Sequence, residues 1–341
     1  MRRPIIAGSL CLLVACGGGA PDGDDVAADA PPLIGERYTL DYGPVTIQPG
    51  QEGTRCIWLR LSNETPIKVR QLHNVLSASS HHLIVYKDDM NTTEQLTPVD
   101  CQPFTGALNT TGMVAPIMIT QKSEDALTLP DGVAYTLAAH QMIKIEMHYV
   151  NVDETPKEAT AKVEFYRADE TLIKHEANIL FIGSPDIQIA AGASLRLNQF
   201  FTVPDYVDLS AAKIFAITGH THRLGTDMQV RVGPSKMGPL RSVYAPAPFS
   251  WSEPETKTHV PEFSVPVDGG FDFECSYTNT GNREVGFGES ADDEMCFFWA
   301  YYYPSQGSKV CVHTEQYGGV NGLNVCCPGD PNICGLIEDM F

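Results

Sequence analysis

Two histidines one residue apart, His220 and His222, close an apolar run that begins at Ile214 and is followed by Gly225. Side chains at i and i+2 lie on one face of a strand, so the two imidazoles stand side by side where neutral ring nitrogens can share one ion. By itself a His-x-His is more often a hydrogen-bonded pair at a strand end, and other residues have to decide the reading. His81 and His82 head a second strand-like run, and His148 lies in a third, from Met142 to Val150. Adjacent residues of a regular strand face opposite ways, so His81 and His82 converge on one ion only if the strand begins there or different ring nitrogens are used. Met295 stands between an acidic turn and an aromatic run. Methionine there can simply fill a core. Its thioether is also a soft ligand of little use to zinc, calcium or magnesium, whereas copper(I) accepts sulfur and imidazole together. Two histidines and a methionine would hold a copper that changes oxidation state and keeps a coordination position open. His73, His140, His175, His259 and His313 have no comparable setting and are read as ordinary histidines.

The elements that must position these residues read as strands. Cys56 to Leu61, His82 to Tyr86, Met142 to Val150, Ala161 to Tyr166, Ala177 to Ile182, Met228 to Val232 and Phe297 to Tyr303 are short and rich in β-branched and aromatic residues, with Gly, Pro and Asp between them. A helical period is scarce, with Asp208 to Lys213 as one candidate turn. The expected class is all-β, with sandwiches or barrels. Past the N-terminal region the chain exceeds the size at which one core keeps growing, so two domains are expected. A polar break at Asp169 to Leu172 divides residues 36–170 from residues 171–341.

Residues 1–16 read as an export signal: Arg2 and Arg3 precede an apolar run too short to span a membrane, and Leu13-Val14-Ala15-Cys16 resembles a lipobox. Cleavage before Cys16 and a lipid on its sulfur would make a bacterial outer-membrane lipoprotein, periplasmic or at the cell surface, held to the membrane only by that lipid. Residues 17–35, mostly Gly, Ala, Asp and Pro, read as a flexible tether. The net charge of −19 argues against nucleic acid and anionic membrane surfaces as partners. Asn63, Asn91 and Asn109 head glycosylation sequons, read as chance beside a lipobox. Without Cys11 and Cys16, eight cysteines remain, which in an exported chain read as disulfides. Cys56 and Cys101 bracket the His81-His82 run, and Cys275 lies upstream of Cys296. Cys311, Cys326, Cys327 and Cys334 form a Cys-rich tail in which adjacent Cys326 and Cys327 do not pair with each other, leaving two connectivities; zinc is the alternative there.

His81-His82, His148-Tyr149-x-Asn151, Gly219-His220-Thr221-His222-x-Leu224-Gly225 and Asp293-Glu294-Met295-Cys296 with its aromatic strand resemble, in order and approximate spacing, the copper type II, ascorbate-dependent monooxygenases. These are the dopamine β-monooxygenase and peptidylglycine α-hydroxylating monooxygenase group, and the resemblance covers residues from about 50 to 305. It implies two tandem jelly-roll β-sandwich domains with one copper each, and disulfides at Cys56/Cys101 and Cys275/Cys296. His81, His82 and His148 would hold the electron-storing copper, and His220, His222 and Met295 the oxygen-activating one. It further implies a copper-dependent monooxygenase that hydroxylates a C–H bond of a small molecule with O2 and ascorbate or a similar reductant. The alternative is a copper-binding or structural surface lipoprotein of the same fold without turnover.

Departures from the family's pattern narrow the substrate. Thr218 stands where amidating members place a carboxylate-gripping arginine, and Phe297 and Trp299 stand where they place asparagine and tyrosine. Both arguments run against a peptide C-terminal carboxylate. Glu146 resembles the dopamine-hydroxylating branch. The cysteine some relatives carry after the His-His strand is replaced by Lys87-Asp88-Asp89.

Overall fold

The segment Arg37–Ile47 alternates buried Tyr38, Leu40 and Tyr42 with exposed neighbours, the period of a strand with one face inward. Its register shifts between Tyr42 and Val45, where Gly43 has φ +87° and a Cβ would stand 2.5 Å from the Ala159 carbonyl oxygen. That position requires glycine. A computed structural model describes residues 36–103, 113–316, 322–329 and 334–335. The expected signal, lipobox and tether, and Asn109, lie outside the described residues.

The described residues are almost all β, apart from a short 3-10 turn at Glu170–Leu172 and a helical pair at 334–335. A six-stranded sheet runs Arg37–Ile47, Lys157–Arg167, Ile67–Leu76, Val133–Leu137, His175–Glu176, with Glu124–Thr128 also on Ile67–Leu76. Facing it is a five-stranded sheet, ordered Gln95–Asp100, Glu52–Arg60, Met142–Val150, Ser80–Asp88, Val114–Thr120. Together they make the first sandwich. The second pairs a six-stranded sheet, Thr256–Phe263, Lys213–His220, Phe297–Tyr303, Asn178–Gly183, Lys309–Thr314, Leu323–Cys327, with a four-stranded one, Ser194–Thr202, Gly270–Thr278, Gly225–Gly233, Arg241–Tyr244. The chain's last pairing with the first sandwich is at His175–Glu176, and its first with the second is at Asn178–Gly183. Asp169 caps the turn between them by accepting the Thr171 amide, and the expected turn near Asp208 is built on that carboxylate, which accepts the Ser210 amide at 2.9 Å.

The large sheet of the second sandwich is apolar on both faces. Phe298, Ala300 and Tyr302 enter the second core, while Phe297, Trp299 and Tyr301 belong to the first, continuous with Ile117, Ile119 and Tyr135. This is why Lys213–His220 and Phe297–Tyr303 read as unbroken apolar runs. The outer face of that sheet covers the side of the first sandwich on which Val114–Thr120 is the edge strand. There the Ile119 amide donates to the Tyr301 hydroxyl at 3.0 Å. Covering an edge satisfies strand groups that would otherwise invite pairing with another chain.

Four disulfides form: Cys56–Cys101, Cys275–Cys296, Cys311–Cys326 and Cys327–Cys334. The tail connectivity follows from pairing, since Cys311 and Cys326 are cross-strand partners and Cys327 turns to the other face. Where relatives have an extra cysteine, buried Asp88 accepts from the Trp58 indole (2.9 Å) and the amides of Met90 (2.8 Å) and Asn91 (2.9 Å). A hydrogen-bonded carboxylate ties that corner together.

Candidate metal centre

His82 and His148 are cross-strand partners on Ser80–Asp88 and Met142–Val150. Ser80 pairs with Tyr149 and His82 with His148, so two steps along one strand meet one step along the other. His81 is therefore the extra residue of a β-bulge, which frees it from strict alternation. Its ring lies 5.4 Å from that of His82 and 5.2 Å from that of His148. The Nδ1 atoms of His81 and His82 are 3.2 Å apart, and one ligand nitrogen from each of the three lies within 4.8 Å of the others. Glu52, at the start of a neighbouring strand, accepts the His148 Nε2–H at 3.0 Å and the Ala291 amide at 2.8 Å. The bond from His148, with the Ala291 amide, brings the carboxyl down to about 2. An ionised carboxylate on Nε2–H leaves Nδ1 of His148 as the ligand atom, a common arrangement around metal-bound histidines.

His220 ends its strand opposite Phe297, on the face toward the first sandwich. Its Nδ1–H donates to Gln121 Oε1 at 2.9 Å, a residue just past the first sandwich's edge strand, and its buried Nε2 has no hydrogen-bond partner among the described residues. His222 donates Nδ1–H to the Asp293 carbonyl at 3.0 Å. The buried Glu294 carboxylate accepts the His222 amide at 2.9 Å and the Leu224 amide at 2.7 Å, tying the turn after His220 to the segment that leads into Met295. Met295 is fully buried, and its carbonyl accepts the Tyr277 hydroxyl at 2.7 Å. The two histidine sets abut: the His220 and His222 rings are 5.1 Å apart, and His81–His222 and His82–His220 are each at 6.4 Å. His73, His140, His175, His259 and His313 are not part of this cluster; His73, for example, bonds Glu164 and Glu124 on the first sheet.

Burial holds His81, His82, His220 and His222 neutral. It lowers His81 to about 3, helped by the neighbouring His148 and His222, and His222 to about 4; His82 and His220 are pushed well below the usual histidine range by burial and by the neighbouring imidazoles. Neutral imidazole is the form that binds metal. A cleft of about 290 Å³ opens beside the rings, lined by His82, His148 and His222 with Glu52, Glu289 and Ser290. Glu289 has one carboxyl oxygen buried without a partner among the described residues, and burial followed by the nearby Glu146 charge raises it to about 8. Glu146 is itself buried, accepting from Lys144 Nζ at 2.8 Å and the Tyr86 hydroxyl at 3.1 Å. Thr218 faces Thr256 at 2.9 Å between hydroxyl oxygens, and Phe297 and Trp299 are packed in the apolar core.

These donors suit copper. The 3.2 Å between two Nδ1 atoms is a separation two imidazole nitrogens have when each lies about 2 Å from one ion. The unpartnered Nε2 of His220 is a buried acceptor that an ion would satisfy. Glu52, Gln121 and Glu289 were not legible as site residues, because each reaches the cluster across a strand pairing or the contact between sandwiches.

Two β-sandwiches meet at a cluster of histidines, three of which could hold a metal ion, and the disulfides agree with oxidising surroundings. Residues 176–321 match the family described as copper type II ascorbate-dependent monooxygenase, C-terminal domain. Among solved structures the chain is similar to the major capsid protein P2 of bacteriophage PM2, at 10% identity over 80% of this chain and 100% of that one, with a TM-score of 0.34. It is also similar to the Sulfolobus turreted icosahedral virus structure, at 10% identity over 79% and 60%, with a TM-score of 0.20. No functional conclusion follows from likeness at that level.

Proposed function

We propose that the chain is a copper-dependent monooxygenase that hydroxylates a C–H bond of a small molecule bound in the cleft, taking electrons from ascorbate or a similar one-electron reductant. The observation that carries this reading is the family match together with five imidazoles gathered at one junction, those of His81, His82, His220 and His222 held neutral by burial. In this reading each domain is a jelly roll. His81, His82 and His148 hold one ion, and His220, His222 and Met295 hold the other. Copper supplies one-electron redox chemistry and a site for O2 when bound. Overall, R–H, O2, two electrons and two protons give R–OH and water.

The chain's own residues set the conditions. Glu52 keeps the proton of His148 on Nε2, and Gln121 and the Asp293 carbonyl keep those of His220 and His222 on Nδ1. Each ring therefore offers its other nitrogen without a tautomer change. Glu289, held neutral at pH 7, makes the cleft wall a hydrogen-bonding group rather than a fixed charge, and Glu52 repels anions from the same cleft. The thioether of Met295 favours reduced copper. Export and a lipid anchor on Cys16 complete the reading, and the four disulfides agree with an oxidising compartment.

Metal analysis of the purified chain, followed by oxygen consumption on adding ascorbate and candidate substrates, tests this. Two coppers with uptake coupled to hydroxylation support it. Copper without hydroxylation of any screened substrate favours the copper-binding lipoprotein, and no copper overturns both. Met295→Leu is expected to keep the first copper and lose oxygen uptake, while His148→Ala is expected to lose the first copper selectively. Full copper and full activity in either variant would remove that residue from the ligand set.

A further inference from the structure

Three of the five clustered imidazoles are held by acceptors outside the cluster: His148 by Glu52, His220 by Gln121 and His222 by the Asp293 carbonyl. His82 is fixed by its register opposite His148 and by burial. His81 has none of these. It is the bulged residue, less buried than His82, and its one hydrogen-bond contact among the described residues is to the ring of His82. On another side it meets the indole of Trp251, with ring centroids 6.1 Å apart and planes 29° from parallel.

Trp251 belongs to the other sandwich. It lies between the strands Arg241–Tyr244 and Thr256–Phe263, in a loop pinned by Phe249 against the second core and by Ser250 Oγ, which accepts the Glu253 amide at 3.1 Å. Neighbouring aromatic planes prefer such offset arrangements, and the contact limits rotation of a ring that has no hydrogen bond outside the cluster among the described residues. We infer that Trp251 is a positioning residue: stacked from the second sandwich, it fixes the His81 imidazole as a metal ligand of the first.

This rests on the copper reading above and predicts something that reading alone does not. Affinity at the His81, His82 and His148 set should depend on an aromatic ring contributed by the other sandwich. Loss of a group that orients a ligand typically weakens metal binding by about tenfold or more. The test uses the full chain carrying His220→Ala and His222→Ala, so that the trio is the imidazole set left at the junction. Copper(I) affinity is measured by competition with a chromophoric chelator, and copper(II) hyperfine coupling by electron paramagnetic resonance. Trp251→Leu should lower affinity about tenfold and alter the hyperfine coupling, while Trp251→Phe, which keeps a stacking ring, should stay within about twofold of the parent. Equal affinity and identical spectra for the leucine variant would overturn the inference, as would equal losses in both variants. Absence of copper from both the native chain and the His220→Ala, His222→Ala parent would overturn the copper reading itself, before Trp251 is touched.

Discussion

Glu289 places a carboxyl oxygen in a buried position with no partner among the described residues, beside a second buried carboxylate, Glu146. Burial is the larger cause of its rise to about 8, and Glu146 adds to it. Between the ordinary carboxyl range and pH 8 the folded chain therefore binds a proton that the unfolded chain releases. Stability from this group is full at low pH and declines as pH rises toward 8. Glutamine keeps the shape and removes the titration. Glu289→Gln is expected to raise the melting temperature at pH 9, by an amount corresponding to about 1–3 kcal/mol once solvent screening is allowed for, and to change it little at pH 5. Thermal denaturation at the two pH values decides this; a difference independent of pH would mean that the carboxyl is not neutral in the fold.

At the scale of elements, two local irregularities put the histidines in place. The first is the bulge at His81, and its origin marks what the sequence could and could not reveal. That His81, His82, His148, His220 and His222 would gather was legible from their order and spacing along the chain. Whether His81 and His82 face the same way was not, because a bulge is a property of pairing with Met142–Val150 and leaves no mark on one strand read alone. The strands were legible because runs such as Phe297–Tyr303 are rich in aromatic and β-branched residues between turn residues. What covered the second face was not written in them. The other irregularity is the turn from His220 to Gly225, where a Cβ on residue 225 would stand 2.0 Å from Thr221 Oγ1 and 3.1 Å from the His222 carbonyl oxygen. Gly225→Ala must open that turn and pull the His222 and Leu224 amides from Glu294, leaving buried groups unpaired at a cost of about 1–3 kcal/mol. The expected outcome is a lower melting temperature together with weaker copper binding at the second set. Unchanged copper affinity at both sets would show that the turn does not position His222.

For the whole molecule, the decisive feature is that the first core is closed by the second sandwich. Phe181, Phe297, Trp299 and Tyr301 lie in the same apolar cluster as Ile117, Ile119 and Tyr135, and residues Ile34–Phe341 form one compact unit. Separating the sandwiches would expose several large aromatic side chains at once, each worth roughly 1.5–3 kcal/mol when fully buried. That penalty couples the two halves, so neither unfolds while the other persists. Calorimetry is expected to show one transition with equal calorimetric and van't Hoff enthalpies, despite a length that would ordinarily give two. Copper binding to the folded chain alone should then raise that single transition as a whole, by about 2.7 kcal/mol when free copper is a hundred times the dissociation constant. Two resolved transitions, with copper moving one of them, would mean that the sandwiches are thermodynamically independent. The contacts from Gln121 to His220 and from Glu52 to Ala291 would then reflect proximity rather than coupling.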